Sequence, residues 1–384
     1  MSSSGARALQ PPTEAGDTAS STKTNWLFFF IGIIVFTVAM MLVSFPVGLY
    51  TVFGTNLSAN YSASTPVSSV GLDLLLITVQ LPLVGDFGVV FLVLSAVYLG
   101  FFLLAARQGS GILRALRESV SGGYDALFTN PLSAMLVLLG AISFATMLLD
   151  TFQTSSGIST GSLTGDPFLL LMNFTLAPLT EETTFRLMLI GLPIFVLSLI
   201  MFKDLSPLKA VKALWRPSSA WDVDEDAETE AVIVRSFKDT GPSIFPDGSS
   251  DTLKVKAIKP VVYAFLVISS LIFGYAHYAS GIGWGPGKVS EAALAGLVLG
   301  YLYIKYGFQT SVLLHWSVNY VGSIFSFLGQ AVYGVPWTSS TGSSLDVIPT
   351  VAIVYLLGVP STLIVLNEFI KRVMVGRRQD IRRT

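Results

Sequence analysis

Cysteine is absent from the 384 residues, which excludes disulfides, thiolate metal ligands and a cysteine nucleophile. Charge is scarce: Asp, Glu, Lys and Arg make up 12% of the chain, against about 25% in an average soluble domain. Histidine occurs twice. With 23 basic and 24 acidic residues the net charge is −1, so overall charge selects no polyanionic or polycationic partner. What is present is apolar: 52% of residues are hydrophobic and the mean hydropathy is +0.67. These values exclude an ordinary water-soluble enzyme, a disordered chain and a basic nucleic-acid binder, so no nucleic-acid partner is expected.

The apolar residues fall into blocks near 26–50, 87–106, 132–150, 167–202, 260–279, 289–304, 309–328 and 347–369. A spanning helix needs about 20 residues to cross roughly 30 Å of hydrocarbon, so the expected fold is all-α, a polytopic bundle of about eight transmembrane helices embedded in the lipid bilayer. The sixth block is short. The fourth would be about 54 Å long as one helix and is expected to be broken, tilted or protruding. Residues 1–24, rich in Ser, Thr, Ala, Gly and Pro, read as a flexible tail. The first block is too far from the start for a secretory leader and reads as a retained helix. The expected units are the tail, N-terminal transmembrane helices over 25–166, a core over 167–330, and a last helix with a basic tail over 331–384.

Loop charge supports this count. Segments 51–86, 151–166 and 329–346 contain no Lys or Arg, whereas 203–259 and the C-terminus are rich in both. With eight crossings and cytoplasmic N- and C-termini in a cell membrane, 21 of the 23 basic residues face the cytoplasm. Lys288 alone falls outside, and Arg186 lies within a block. Segment 203–259 holds the acidic run Asp222 to Glu228 and reads as a cytoplasmic insertion, with a short β-hairpin expected near Ala231 to Phe237. Asn56-Leu-Ser and Asn60-Tyr-Ser in the opposite loop have the form of glycosylation sequons.

Ionisable groups at bilayer depth are costly and mark functional sites or structural pairs. The fourth block contains Glu181-Glu182-Thr183-Thr184-Phe185-Arg186. Glu182 and Arg186, four apart, face each other on a helix, while Glu181 is turned about 100° away and lacks that partner. The fifth block ends in Phe273-Gly-Tyr-Ala-His277, and the seventh contains His315-Trp-Ser-Val-Asn319, with His315 and Asn319 on one face. Both histidines of the chain thus lie in apolar helices beside other polar groups. The combination suits hydrolysis. A desolvated carboxylate can take a proton from water, a histidine can hold that water, and a histidine with an asparagine amide can stabilise an oxyanion. The same Glu, Arg and His groups could instead serve a proton-coupled membrane transporter, although no internal repeat of the kind transporters show is evident.

With EExxxR, FxxxH and HxxxN in this order on separate blocks, the sequence resembles the CPBP (Abi/CAAX protease) family of intramembrane endopeptidases, which includes the type II CAAX prenyl proteases. The resemblance covers about 167–330, which would then be the catalytic core, interrupted by insertion 203–259. It implies a peptide or protein substrate at the membrane, prenylated CAAX-type C-termini among the candidates. Glu181 would activate water with His277, His315 and Asn319 would form the oxyanion hole, and Glu182, Arg186 and Phe273 would support them. No cofactor is expected. A zinc ion held by Glu181, His277 and His315, with one open position, is the alternative the resemblance leaves. Asn319, one turn from His315, suits an oxyanion donor better than a second shell around a metal.

Overall fold

The computed structural model describes residues 17–74, 77–201, 207–220, 249–338 and 344–381. The chain is a helical bundle with one small hairpin. Helix α1 (Asp17–Phe53) is followed by antiparallel strands β1 (Pro66–Leu74) and β2 (Ile77–Asp86). Then come α2 (Phe87–Arg107), α3 (Ile112–Gly122), α4 (Pro131–Ser155) and α5 (Pro167–Glu182). A π-helical stretch, Thr183–Gly191, joins α5 to α6 (Leu192–Met201), and α7 (Pro207–Trp215) lies beyond. Helices α8 (Ser249–Ala279), α9 (Gly287–Tyr306) and α10 (Phe308–Trp316) follow. A second π-stretch, Ser317–Val321, leads towards α11 (Ile324–Tyr333). After α12 (Ser344–Thr350), a third, Val351–Leu357, leads into α13 (Gly358–Ile381).

Seven helical spans among the described residues are long and apolar enough to cross a membrane. The short sixth apolar block became α9, which at 20 residues is about 30 Å long. Its low hydropathy has a structural reason. Glu291, Gly296, Gly300, Tyr303 and Tyr306 are buried among its neighbours, so packing rather than lipid sets its composition. The fourth block is neither broken nor split: it runs continuously as Pro167–Ile200, with the π-stretch widening it in the middle.

Two further expectations meet the structure differently. Helix α1 starts at Asp17, inside the segment read as a flexible tail. Adding turns to a nucleated helix is far easier than starting one, so the apolar span draws polar residues into its end. The rest of that tail lies outside the described residues. Segment 51–86, read as a loop, contains the hairpin, in which Thr78, Gln80 and Pro82 alternate with apolar residues at the strand period. The hairpin expected near 231–237 and much of insertion 203–259 lie outside the described residues. The described part includes α7, whose Trp215 packs edge-on against Phe308 and Phe101.

Close helix approach positions the site. At Gly274 on α8, an added Cβ would stand 2.3 Å from the carbonyl oxygen of Val289 on α9 and 2.9 Å from the Ala293 side chain. Small residues allow such backbone contact in membrane bundles, and this one holds the end of α8, with His277, against α9. Behind the site Trp316 stacks between Tyr98 and Tyr320, with ring centres 5.2 and 5.1 Å away. Gly274→Val is expected to overpack this contact and destabilise the bundle by about 1–3 kcal/mol, read as a lower thermal midpoint in detergent. Gly100→Val, where a Cβ meets nothing within 4 Å, is expected to leave the midpoint in place.

Candidate active site

The two adjacent glutamates at the end of α5 have opposite surroundings. Glu182 is fully buried. Its carboxylate meets Arg186 Nε at 3.1 Å and His315 Nδ1 at 3.0 Å, and it accepts a hydrogen bond from the Ser311 hydroxyl. Arg186, also fully buried, donates from Nη1 to Ser269 Oγ at 3.2 Å and lies 4.8 Å over the Phe273 ring. Its approach to Glu182 is an ion pair without hydrogen-bond alignment, because Nε has no hydrogen-bond partner. The pair expected from the i,i+4 spacing is therefore present, extended by Ser311, His315 and Ser269 into one network across three helices.

Glu181 faces the other way. Its side chain is 31% exposed, yet Oε2 is buried and has no hydrogen-bond partner. That oxygen stands 4.0 Å from His277 Nε2 and 3.8 Å from His315 Nε2. Each imidazole is anchored through its other nitrogen: His277 Nδ1 lies 3.0 Å from the Phe273 carbonyl oxygen, and His315 Nδ1 contacts Glu182. A carbonyl or carboxylate oxygen only accepts, so Nδ1 carries the proton in both rings. In the neutral tautomer each Nε2 is then an acceptor, and only a doubly protonated ring donates from it.

Phe273 does more than fill space. Its ring meets His277 edge-on at 4.7 Å and His315 at 5.8 Å, and its carbonyl oxygen holds His277. Asn319 sits in the second π-stretch, half-buried, with no hydrogen-bond partner among the described residues. Such π-turns often occur at functional sites, and here one carries the last residue of each polar motif in the fourth and seventh blocks, Arg186 and Asn319. Two cavities meet at these groups. A narrow one of about 150 Å³ is lined by Phe273, His277, His315 and Asn319. A larger one of about 560 Å³ is lined by Glu181, His277 and Asn319 and reaches Asn173, Ser280 and Trp284.

A loop clasp contributes Trp284 to the wall of the larger cavity. Backbone bonds from Ser162 N to Gly283 O (3.1 Å), Gly285 N to Thr160 O (2.9 Å) and Gly287 N to Ser159 O (2.9 Å) tie 159–162 to 283–287. At Gly161, with φ +80°, a Cβ would sit 2.2 Å from the Gly283 carbonyl oxygen, so only glycine permits this approach. The clasp fixes Trp284, whose ring centre lies 6.4 Å from that of His277.

All seven residues singled out from the sequence thus gather in one region. Tetrahedral zinc with bonds of about 2.0–2.1 Å needs donor atoms roughly 3.4 Å apart. The separations of 3.8 and 4.0 Å from Glu181 are wider, and among the described residues no three His, Asp or Glu side chains form a metal-holding group. Residues that the motifs did not flag are Ser311, Ser269, Trp284, Lys288 and Glu291. Ser311 stands four before His315 and Ser269 four before Phe273, a spacing that places each pair on one helix face.

No curated protein and no solved structure matches the chain. A family model described as Type II CAAX prenyl endopeptidase Rce1-like matches residues 163–321. The matched stretch begins just before α5, ends with the second π-stretch and contains Glu181, Glu182, Arg186, Phe273, His277, His315 and Asn319. Over residues 163–321 the chain is therefore similar to the type II CAAX prenyl endopeptidases, which supports the resemblance to the CPBP (Abi/CAAX protease) family of membrane proteases.

Proposed function

We propose that the chain is an intramembrane endopeptidase that hydrolyses peptide bonds of membrane-associated proteins with a glutamate-activated water. Prenylated CAAX-type C-termini, the substrates named by the matching family model, are the first to test. The observation that carries this reading is the buried, unpartnered Oε2 of Glu181 facing Nε2 of both histidines. A water in that gap would give one proton to Glu181 and direct the other to His277 Nε2, leaving its oxygen free to attack a carbonyl carbon. The oxyanion would form beside His315 Nε2 and the Asn319 amide. Donation from His315 requires the doubly protonated ring, and Glu182 at Nδ1 is placed to hold it. As the tetrahedral intermediate collapses, the C–N bond breaks and the proton on Glu181 passes to the leaving amine.

The charges balance in this scheme. Two carboxylates, Glu181 and Glu182, face Arg186, and a doubly protonated His315 would complete the balance. No step requires a metal.

Three outcomes follow. Glu181→Gln is expected to lower cleavage by about 10²–10⁴-fold while the thermal midpoint stays near wild type, and full residual activity would sink the proposal. Asn319→Ala is expected to lower kcat by about 10²–10³-fold with little change in KM, measured on the same peptide. Cleavage is expected to survive exhaustive chelation, and a loss restored by zinc alone would replace the water-activation scheme with a metal-assisted one.

A further inference from the structure

Both cavities share one basic side chain that the scheme above does not use. Lys288 lines each of them beside His277 and Asn319, and no other Lys or Arg lines either. It is also the residue that the charge pattern set apart, the one basic position assigned to the side opposite the basic loops. Its ammonium lies 4.3 Å over the Trp284 ring and 3.4 Å from Glu291 Oε2. Trp284 in turn neighbours His277, so one aromatic ring separates Lys288 from the reacting groups.

A lysine is poorly placed here for helix stability. Lys288 is in the first turn of α9, where the helix dipole is positive and favours anions. Its i,i+3 contact with Glu291, at 3.4 Å, is long for a charge-assisted hydrogen bond. Glu291 is itself 8% exposed, and its Oε1 is buried without a hydrogen-bond partner. An ammonium has three donors, and Glu291 occupies one. The clasp between 159–162 and 283–287 holds the start of α9 in place, so the cation is presented to the cavity by a fixed backbone. Lysine charge, helix N-terminus and low-dielectric walls all reward a negative group at this point.

We propose that Lys288, oriented by Trp284 and Glu291, is a specificity-determining residue that binds a carboxylate of the peptide substrate close to the scissile bond. The inference rests on the endopeptidase reading and names the substrate feature that site selects. The carboxylate has two possible sources, the C-terminal α-carboxylate or an Asp or Glu side chain, and they share one chemistry.

The test uses the full chain in proteoliposomes with matched membrane-anchored peptides. One series ends in a free acid, one in a carboxamide, and one in a carboxamide with a Glu beside the cleaved bond. Wild type is expected to show a KM for one carboxylate-bearing series about tenfold or more below that of the uncharged carboxamide. Lys288→Met is expected to raise that KM to the carboxamide value with kcat little changed, and Lys288→Arg to keep the preference. The series that loses its advantage identifies the source. Binding of the same peptides to Glu181→Gln protein, with and without Lys288→Met, makes the comparison without turnover. Equal KM values for all three series, or a preference that survives Lys288→Met, overturns the role of Lys288 and leaves the endopeptidase reading standing. Wild-type cleavage no faster than Glu181→Gln on every peptide overturns the endopeptidase reading and this inference with it.

Discussion

A carboxylate and a guanidinium with no exposure to solvent, Glu182 and Arg186, set the terms for the rest of the site. Burying two such charges is unfavourable unless each is met by a partner of good geometry. The fold supplies those partners from two other spans: Ser311 and His315 for the carboxylate, Ser269 and the Phe273 ring for the guanidinium. Removing one member of such a pair strands the other, at about 3–5 kcal/mol. The network therefore ties the Pro167–Ile200 span to α8 and α10 more specifically than apolar contact in a lipid surrounding can.

That same network creates the asymmetry the chemistry needs. Two glutamates adjacent in sequence point in different directions on a helix, so satisfying Glu182 leaves Glu181 facing the cavity. His315 bridges the two, with Nδ1 on Glu182 and Nε2 towards Glu181. His277 reaches Glu181 from α8, with its own Nδ1 held by a backbone carbonyl. Fixing the orientation of both rings through the non-reacting nitrogen costs no polar group that faces the cavity. The π-stretch after Glu182 and the one holding Asn319 alter the angular offset between successive side chains, so neither motif follows ordinary 3.6-residue geometry.

Much of this was legible because charge is so rare. In a soluble protein a Glu-Glu pair or a lone His says little, but in apolar blocks each ionisable residue must be explained, and the explanations converged on three motifs. The helical bundle was legible from block length for the same reason: lipid demands unbroken apolar runs. What escaped was information held between elements. Ser311 and Ser269 are ordinary residues until their partners on other helices are known. The hairpin at 66–86 is a short alternating pattern beside far stronger helical signals. Helix α9 looked too short because its small and charged residues face protein. Lys288 was visible as an oddity of the charge pattern, but its closeness to His277 depends on the glycine-dependent clasp, which joins segments more than 120 residues apart.

A hydrolase in a bilayer must also bring water to a place that excludes it, and polar backbone or side chains at such depth are tolerated where they line a wet cavity. For the hydrolysis proposed above, the larger cavity would meet that need. Asn173, Thr180, Thr184, Ser280 and Ser323 line it together with Glu181 and His277, a polar path in a chain that otherwise avoids polarity. The narrow cavity is mostly apolar, lined by Ile142, Ala292, Ala295 and Leu299 beyond the histidines, and offers no comparable route. The polar cavity thus lies on one side of Glu181, and the buried ion pair of Glu182 and Arg186 lies on the other.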